Sequence, residues 1–479
     1  MDSNPNPNST INPNSTINSV PTLIQVEALE KHQYYASKYI PNDIYWGIGI
    51  ENEVYFEMSK QLDVDIKTFY TKNAKRERYS VNYFTSYKPG VYESCIEKIE
   101  LATKVPVLVN AHSFTKTDIN NQHMTTYTKN PQPNPKFNGK TIYEFICDKD
   151  SYFSDEYMKS YIFDGDTIEF ISQNFYKTTI NSVITELINT KKEFITRLQK
   201  VFNDNNVFSN YGTIDFCYKN HPFISCMTNI NNCSIFNNMT YHFNFTLPTK
   251  LNDLGLIEDY TLFTEQHKNA INLIQWIEPF LIALYGSGDI FSSVNPNLTT
   301  TSQRCAKSRY IGFGTYDTDT MIPGKVVQIE SENNHLSNLD YWWFNRYYQI
   351  SDYTKEPNIG VDINFHKHKN HGIEIRIFDY FEESKLEEVL KFIVLILDLS
   401  LDKKVESPVR NVHWNNFVYN ILLDRNTKID NDIKEIYEEI FDFKTSFETI
   451  SEFFNKINLK LIKKYEGNGI CYKNMINSN

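Results

Sequence analysis

Two rhythms of apolar residues run along this chain, one of period two and one of period three to four. From Tyr45 to Glu57, Trp46, Ile48, Ile50, Val54 and Phe56 fall on one side of an extended strand, while Gly47, Gly49, Glu51, Glu53 and Glu57 fall on the other. Tyr241 to Leu247 sets Phe243 and Phe245 against His242, Asn244 and Thr246, and Ile373 to Phe378 sets three isoleucines against Glu374 and Arg376. Asp166 to Ser172 adds Ile168 and Phe170 against Glu169. The helical rhythm appears three times. Between Thr178 and Phe202, apolar residues recur at Ile180, Ile184, Leu187, Phe194, Leu198 and Val201. Ala270, Ile274, Ile277, Leu281 and Leu284 repeat it up to a stop at Gly286-Ser287-Gly288, with Pro279 removing one internal hydrogen bond and predicting a kink. A capping box, Ser384-x-x-Glu387, opens the third, and from about Leu401 the chain reads as helical and charged.

The polar sides of these strands change the picture. An antiparallel sheet with one wet face explains alternation by itself, but such faces ordinarily carry Thr, Lys, Ser and Gln. Here they carry Glu51, Glu53, Glu169, His242, Glu374 and Arg376. If the strands share a sheet, four carboxylates converge, which is costly unless cations offset their repulsion. Oxygen donors with one imidazole suit Mg²⁺ or Mn²⁺ better than Zn²⁺. Gly47 and Gly49 lie on the same side; a glycine inside a strand marks close approach of a ligand or another backbone, or else a bulge. Either way the carboxylate face is expected to be open.

Composition narrows the class. With 479 residues, 41% of them hydrophobic, the chain can bury a large core, and a net charge of -11 provides no global field for a phosphate backbone. Nucleic acid is therefore not expected as a partner. Seven cysteines with no C-x-x-C pair argue against a zinc site or a disulfide framework. No signal sequence and no long apolar run are visible, so no membrane partner and a cytoplasmic location are expected. Residues 1–35, rich in Asn, Pro and Ser, read as a disordered tail, and the Asn130-Pro-Gln-Pro-Asn-Pro-Lys stretch as part of an insertion around 110–150.

Five motifs then occur in order: Gly-Ile-Glu-Asn-Glu (49–53), Asp-Gly-Asp-Thr-Ile-Glu-Phe-Ile-Ser (164–172), Tyr-His-Phe-Asn (241–244), Gln-Trp-Ile-Glu-Pro-Phe-Leu (275–281) and Gly-Ile-Glu-Ile-Arg-Ile-Phe-Asp (372–379). Together they resemble the glutamine synthetase-like carboxylate-amine ligases, especially the glutamate-cysteine ligase and amidoligase branch, over roughly Tyr45 to Ser400. The resemblance implies an α+β fold with a curved antiparallel sheet, helices on its convex face, a catalytic domain over 36–400 and a helical C-terminal extension over 401–479. It implies ATP held through two or three Mg²⁺ or Mn²⁺ ions by Glu51, Glu53, Asp166, Glu169, His242 and Glu374. It also implies a small-molecule amino acid or amine as substrate, joined to a carboxylate through an acyl phosphate, with glutamate the family-level acid. Glu374, Arg376 and Arg309 take catalytic places in that reading, and Arg376 faces the transferred phosphate.

The segment Ser302 to Asp319 is similar to the family's basic segment, which makes Arg304, Lys307 and Arg309 contacts for nucleotide or substrate carboxylate; a solvated basic loop is the plainer reading for Lys307. Of Asp164 and Asp166, one serves as a ligand and the other as a turn cap. His366, His368 and His371 read as a polar loop, and Tyr341-Trp342-Trp343-Phe344 as packing. Two other classes stay open: a non-catalytic module that kept the fold, and an ATP-dependent phosphotransferase.

Overall fold

The computed structural model describes residues 39–64, 87–98, 103–116, 119, 140–154, 160–164, 167–218, 238–310, 314–321, 347, 349–354, 362–365, 371–444 and 449–476. The N-terminal tail, the Pro-rich stretch, the 341–344 aromatics, Asp166, His366 and His368 lie outside them.

The strands, in chain order, are β1 (Ile44–Val54), β2 (Phe56–Val64), β3 (Thr103–Val109), β4 (Tyr161–Asp164), β5 (Thr167–Ile171), β6 (Ile214–Phe216), β7 (Thr240–Lys250), β8 (Ile363–Phe365) and β9 (Ile373–Phe378). The helices are α1 (Val91–Lys98), α2 (Ala111–Lys116), α3 (Ile142–Lys149), α4 (Ile180–Asp204), α5 (Tyr260–Tyr285), α6 (Gln303–Tyr310), α7 (Leu386–Asp402), α8 (Val412–Leu423), α9 (Asn431–Ile440), α10 (Ile450–Tyr465) and α11 (Ile470–Met475). The fold is α+β. Six strands form one sheet in the order β4-β5-β1-β7-β9-β8, every neighbouring pair antiparallel. All four strands read from the sequence belong to it. The run from Tyr45 to Glu57 is cut at Tyr55, whose N–H donates to Asn238 Oδ1 at 2.9 Å; β2 then crosses into a second sheet, β3-β2-β6.

The apolar sides of β1, β5, β7 and β9, including Ile48, Ile50, Ile168, Phe170, Phe243, Phe245, Ile375 and Ile377, are sealed beneath helices α4 and α5. Helix α4 follows from its sequence: Thr179 caps it by accepting from the Ser182 N–H, and Ile180, Val183, Leu187, Phe194 and Leu198 form the stripe it buries. Helix α5 is buried all round from Asn269 to Ala283, the polar Asn269, Asn272, Gln275 and Glu278 included, because it is covered on every side, by the sheet and by α7, α8 and α10. The polar Lys191 of α4 is also buried there, its Nζ 2.5 Å from Glu383 Oε2 and 2.9 Å from Asn52 Oδ1.

One sequence reading is corrected here. The capping box at Ser384 does not form: a 3-10 turn, Glu383–Lys385, precedes α7, and Lys385 stands at the helix start without a side-chain cap. The pairing of Glu383 with Lys191 fixes that turn. The C-terminal region is helical, as expected. Its helices belong to the same core, and α11 reaches β1 and β7, held by Asp398, whose carboxylate accepts from the N–H groups of Cys471 and Tyr472.

The missing donor at Pro279 is dealt with by this region. Proline has no N–H to give the Gln275 carbonyl four residues back, and the indole Nε1 of Trp414 in α8 donates to that carbonyl at 3.0 Å instead. Tyr437 of α9 donates to the next carbonyl, Trp276, at 2.6 Å. Among the described residues no helix is long and apolar enough to cross a membrane.

Candidate functional site

On β1, Glu51 and Glu53 are two residues apart and so project from the same side of the sheet. Register decides what they meet. Glu51 lies opposite His242, Glu53 lies opposite both Glu169 and Thr240, and Asn244 lies opposite Glu374. Directly opposed residues of an antiparallel pair share a face, so strands remote in sequence deliver their donors to the side away from α4 and α5.

The donors form two adjoining groups. Glu51, His242 and Glu374 each offer a ligand atom within 4.8 Å of the others, and so do Glu53, Asp164 and Glu169. The groups meet where His242 Nε2 stands 3.6 Å from Glu53 Oε1. Oxygens bound on opposite sides of one Mg²⁺ at about 2.1 Å lie about 4.2 Å apart, so each group needs only small side-chain movement to close on an ion. The donor chemistry, carboxylates with one imidazole, fits Mg²⁺ or Mn²⁺.

Polar neighbours hold the donors in place. His242 Nδ1 is 3.2 Å from Glu51 Oε2, and Asn244 Nδ2 donates to Glu51 Oε1 at 3.1 Å. Thr240 donates to Glu53, and Asn364 of β8 donates to Glu374. Arg376 Nη1 donates to Glu374 Oε1 at 2.9 Å, while its Nε finds no acceptor among the described residues. From α6, Arg304 Nη2 reaches His242 Nε2 at 3.1 Å, and Nη1 lies 3.8 Å from Glu53 Oε2. The start of α6 is fixed by Asp379, at the end of β9, which accepts from the Arg304 N–H at 2.8 Å.

Burial makes this arrangement electrostatically expensive. His242 and Glu374 are 1% exposed and Glu53 is 3% exposed. Loss of water pushes the Glu53 carboxyl up, against the opposing pull of Arg304 and Arg376. The same desolvation holds the Arg304 guanidinium below its ordinary value. Burial works to lower Arg376 too, but the carboxylates of Glu374, Glu53 and Glu51 outweigh it and the net direction is upward.

Other expected site residues fall elsewhere. Lys307 is wholly buried, its ammonium over the rings of Tyr87 and Tyr353 at 5.0 and 5.4 Å, so the solvated basic loop is corrected to a buried cation. Arg309 belongs to α6, with its side chain outside the described residues, as is Asp166. Asp164 takes the acidic place beside Glu169. The open face expected at Gly47 and Gly49 is also corrected: a Cβ at either position would meet the Phe175 ring, at 2.4 and 2.9 Å. The close approach is that of the chain's own aromatic, beside a register shift between Tyr45 and Gly47. Phe175 in turn packs on His371, ring centroids 4.4 Å apart.

Sequence reasoning did not assign roles to Asn244, Asn364, Asp379 or Phe175. Asn244 was legible, since it shares the His242 side of the strand. Asn364 sits in a strand of only three residues, too short for a period to show. A third group, Glu278, Cys305 and Asp362, is buried between α5, α6 and the start of β8, with Cys305 Sγ 3.1 Å from Glu278 Oε1.

The chain is 41% identical over 463 residues to Uncharacterized protein R704 of Acanthamoeba polyphaga mimivirus, covering 95% of this chain and 81% of the viral one. It belongs to that protein's family. Identity at this level over such a span means that the two chains share a fold. No family model matches the sequence, and no solved structure matches it significantly.

Proposed function

We propose that this protein is an ATP- and Mg²⁺- or Mn²⁺-dependent carboxylate-amine ligase on a glutamine synthetase-like sheet, acting on an amino acid and an amine in the cytoplasm. One observation supports the reading: carboxylates and an imidazole from five strands, supplied by four of the motifs that resemble the family's in order, meet on the sheet face opposite the helices with two guanidinium groups among them. Glu51, His242 and Glu374 would hold one ion and Glu53, Asp164 and Glu169 another. Such ions, when bound, neutralise the phosphate oxygens of ATP and draw off charge as the terminal phosphoryl group moves to a carboxylate.

The chain's own groups do the rest. Asn244, Thr240 and Asn364 restrict how the carboxylates turn, which lowers the reorganisation needed at binding. Arg376, steered by Glu374, keeps permanent charge at the rim, where it is half-buried and still has a donor to give. Phe175 and His371 close one end of the face against water. A non-catalytic module would gain nothing from carboxylates taken out of water in this way.

The test is nucleotide turnover by the purified full chain, over a panel of amino acids and amines with Mg²⁺, followed by mass spectrometry of the products. ADP release that requires both an acid and an amine, with an amide as product, is the expected outcome. An acyl phosphate or phosphorylated guanidine as end product would favour phosphotransfer. Absence of both Mg²⁺-ATP binding and turnover would leave the non-catalytic module ahead.

A further inference from the structure

The contact between Arg304 and His242 points to a competition inside the site. An imidazole nitrogen has one lone pair, which can accept a hydrogen bond or bind a metal, but not both. Arginine has no acceptor and does not give up its proton, so the 3.1 Å contact from Arg304 Nη2 makes His242 Nε2 the unprotonated acceptor. The ring proton then sits on Nδ1 and donates to Glu51 Oε2, 3.2 Å away. This is the tautomer in which Nε2 can ligate a cation without any turn of the ring. Arg304 Nη1 meanwhile lies 3.8 Å from Glu53 Oε2, and Glu53 Oε1 is 3.6 Å from the same Nε2. The guanidinium therefore presents positive charge to one donor of each group, His242 of the first and Glu53 of the second.

We infer that Arg304 is a built-in counter-cation which a divalent ion must displace from His242 Nε2 and Glu53, so that Arg304 sets the affinity of the site for metal. This rests on the metal reading above and adds a regulatory element to it. Displacement need not disturb the helix, because the Arg304 backbone is held separately by Asp379. The freed side chain carries a planar set of donors suited to an anionic oxygen. A nucleotide phosphate that accepts those donors would make displacement easier, so metal and nucleotide should each strengthen the other's binding through this one side chain.

Mn²⁺ binding, followed by the electron paramagnetic resonance of the free ion in titrations of the full chain, tests the inference without relying on catalysis. Arg304→Met should bind Mn²⁺ about tenfold or more tightly than wild type, since a charge-assisted competitor has gone. In a His242→Gln background the same substitution should raise affinity by only about threefold, because Glu53 alone is then contested. Should Arg304→Met fail to fold by circular dichroism, Arg304→Gln takes its place, with a smaller gain in the same direction. An affinity equal to or below wild type overturns the inference, and so does a gain that is undiminished without His242, which would mean that the contact with Nε2 has no part in it. In both cases wild type still binds Mn²⁺ and the metal reading survives; no Mn²⁺ binding by any variant overturns both.

Discussion

Removing the indole donor of Trp414 should expose how much of this fold depends on the gap at Pro279. Pro279 leaves the Gln275 carbonyl without its helical partner, in a stretch of α5 where Gln275 and Ile277 are fully buried. Trp414, itself fully buried, fills the gap through Nε1 at 3.0 Å. Trp414→Phe keeps an aromatic ring but removes the donor, and a buried carbonyl left short of a partner costs about 1–3 kcal/mol. The smaller ring adds on the order of 1–2 kcal/mol for lost packing. Pro279→Ala supplies a backbone N–H to the same carbonyl, so in that background Trp414→Phe should cost only its packing part. Urea unfolding of wild type, both single variants and the double variant, followed by far-ultraviolet circular dichroism, gives the cycle. A coupling of about 1–2 kcal/mol is expected. Equal costs of Trp414→Phe in the two backgrounds, within about 0.5 kcal/mol, would refute the donor's role and reduce Trp414 to a space filler.

Gly47→Ala places a methyl group where the Phe175 ring now stands, 2.4 Å away, and should destabilise by about 1–3 kcal/mol; Phe175→Ala in the same chain should recover part of that loss in thermal unfolding. Asp379 is raised by burial from 3.8 to about 6, against opposing hydrogen bonds from Ser302 and the Arg304 N–H. The folded chain thus holds this proton more tightly than the unfolded one, and the stability gained is full below pH 3.8 and lost as pH rises through about 6, roughly 3 kcal/mol in all. Asp379→Asn should therefore gain relative to wild type between pH 4 and 7 when unfolding is compared across pH, and a difference that stays flat would refute the assignment. If the ligase reading holds, Arg376→Lys, which loses the planar fork but not the charge, should lower turnover about 10²-fold and change nucleotide affinity less; equal losses in steady-state turnover and equilibrium binding would make Arg376 a ground-state contact only.

The acidic face was legible in the sequence because period two is a local property: Glu51 and Glu53, His242 and Asn244, and Glu374 and Arg376 each declare a common side within a few residues. That the strands share one sheet was not local, yet the charges themselves argued for it, since isolated carboxylate faces would not need His242 or Arg376 beside them. Helices α4 and α5 were equally readable from their stripes and from the Gly286 stop. Phe175 was not. It lies in a loop after β5, and the glycines that accommodate its ring announce only that something approaches. Ser384 misled for a related reason: the local capping pattern was sound, but Glu383, drawn to Lys191 almost two hundred residues earlier, took control of the turn.

Lys307 and Arg304 show where such reasoning stops and why. Three residues apart on one short helix, they carry the same charge and the same sequence context, and only the surrounding fold separates them. Lys307 turns among the rings of Tyr87 and Tyr353 in the core, whereas Arg304 enters the carboxylate face. Burial lowers the Arg304 guanidinium and raises the Glu53 carboxyl, so both ions are held against their preference for water. Two well-packed apolar side chains at these positions would satisfy the fold at least as well. The stability to hold such a pair comes from the layers behind the sheet, where α5 is enclosed by helices that include Trp414 and Tyr437. The C-terminal helices therefore bear on the carboxylate face from behind the sheet: loosening them should weaken the fixed geometry of Glu53, His242 and Arg304 before it unfolds the chain.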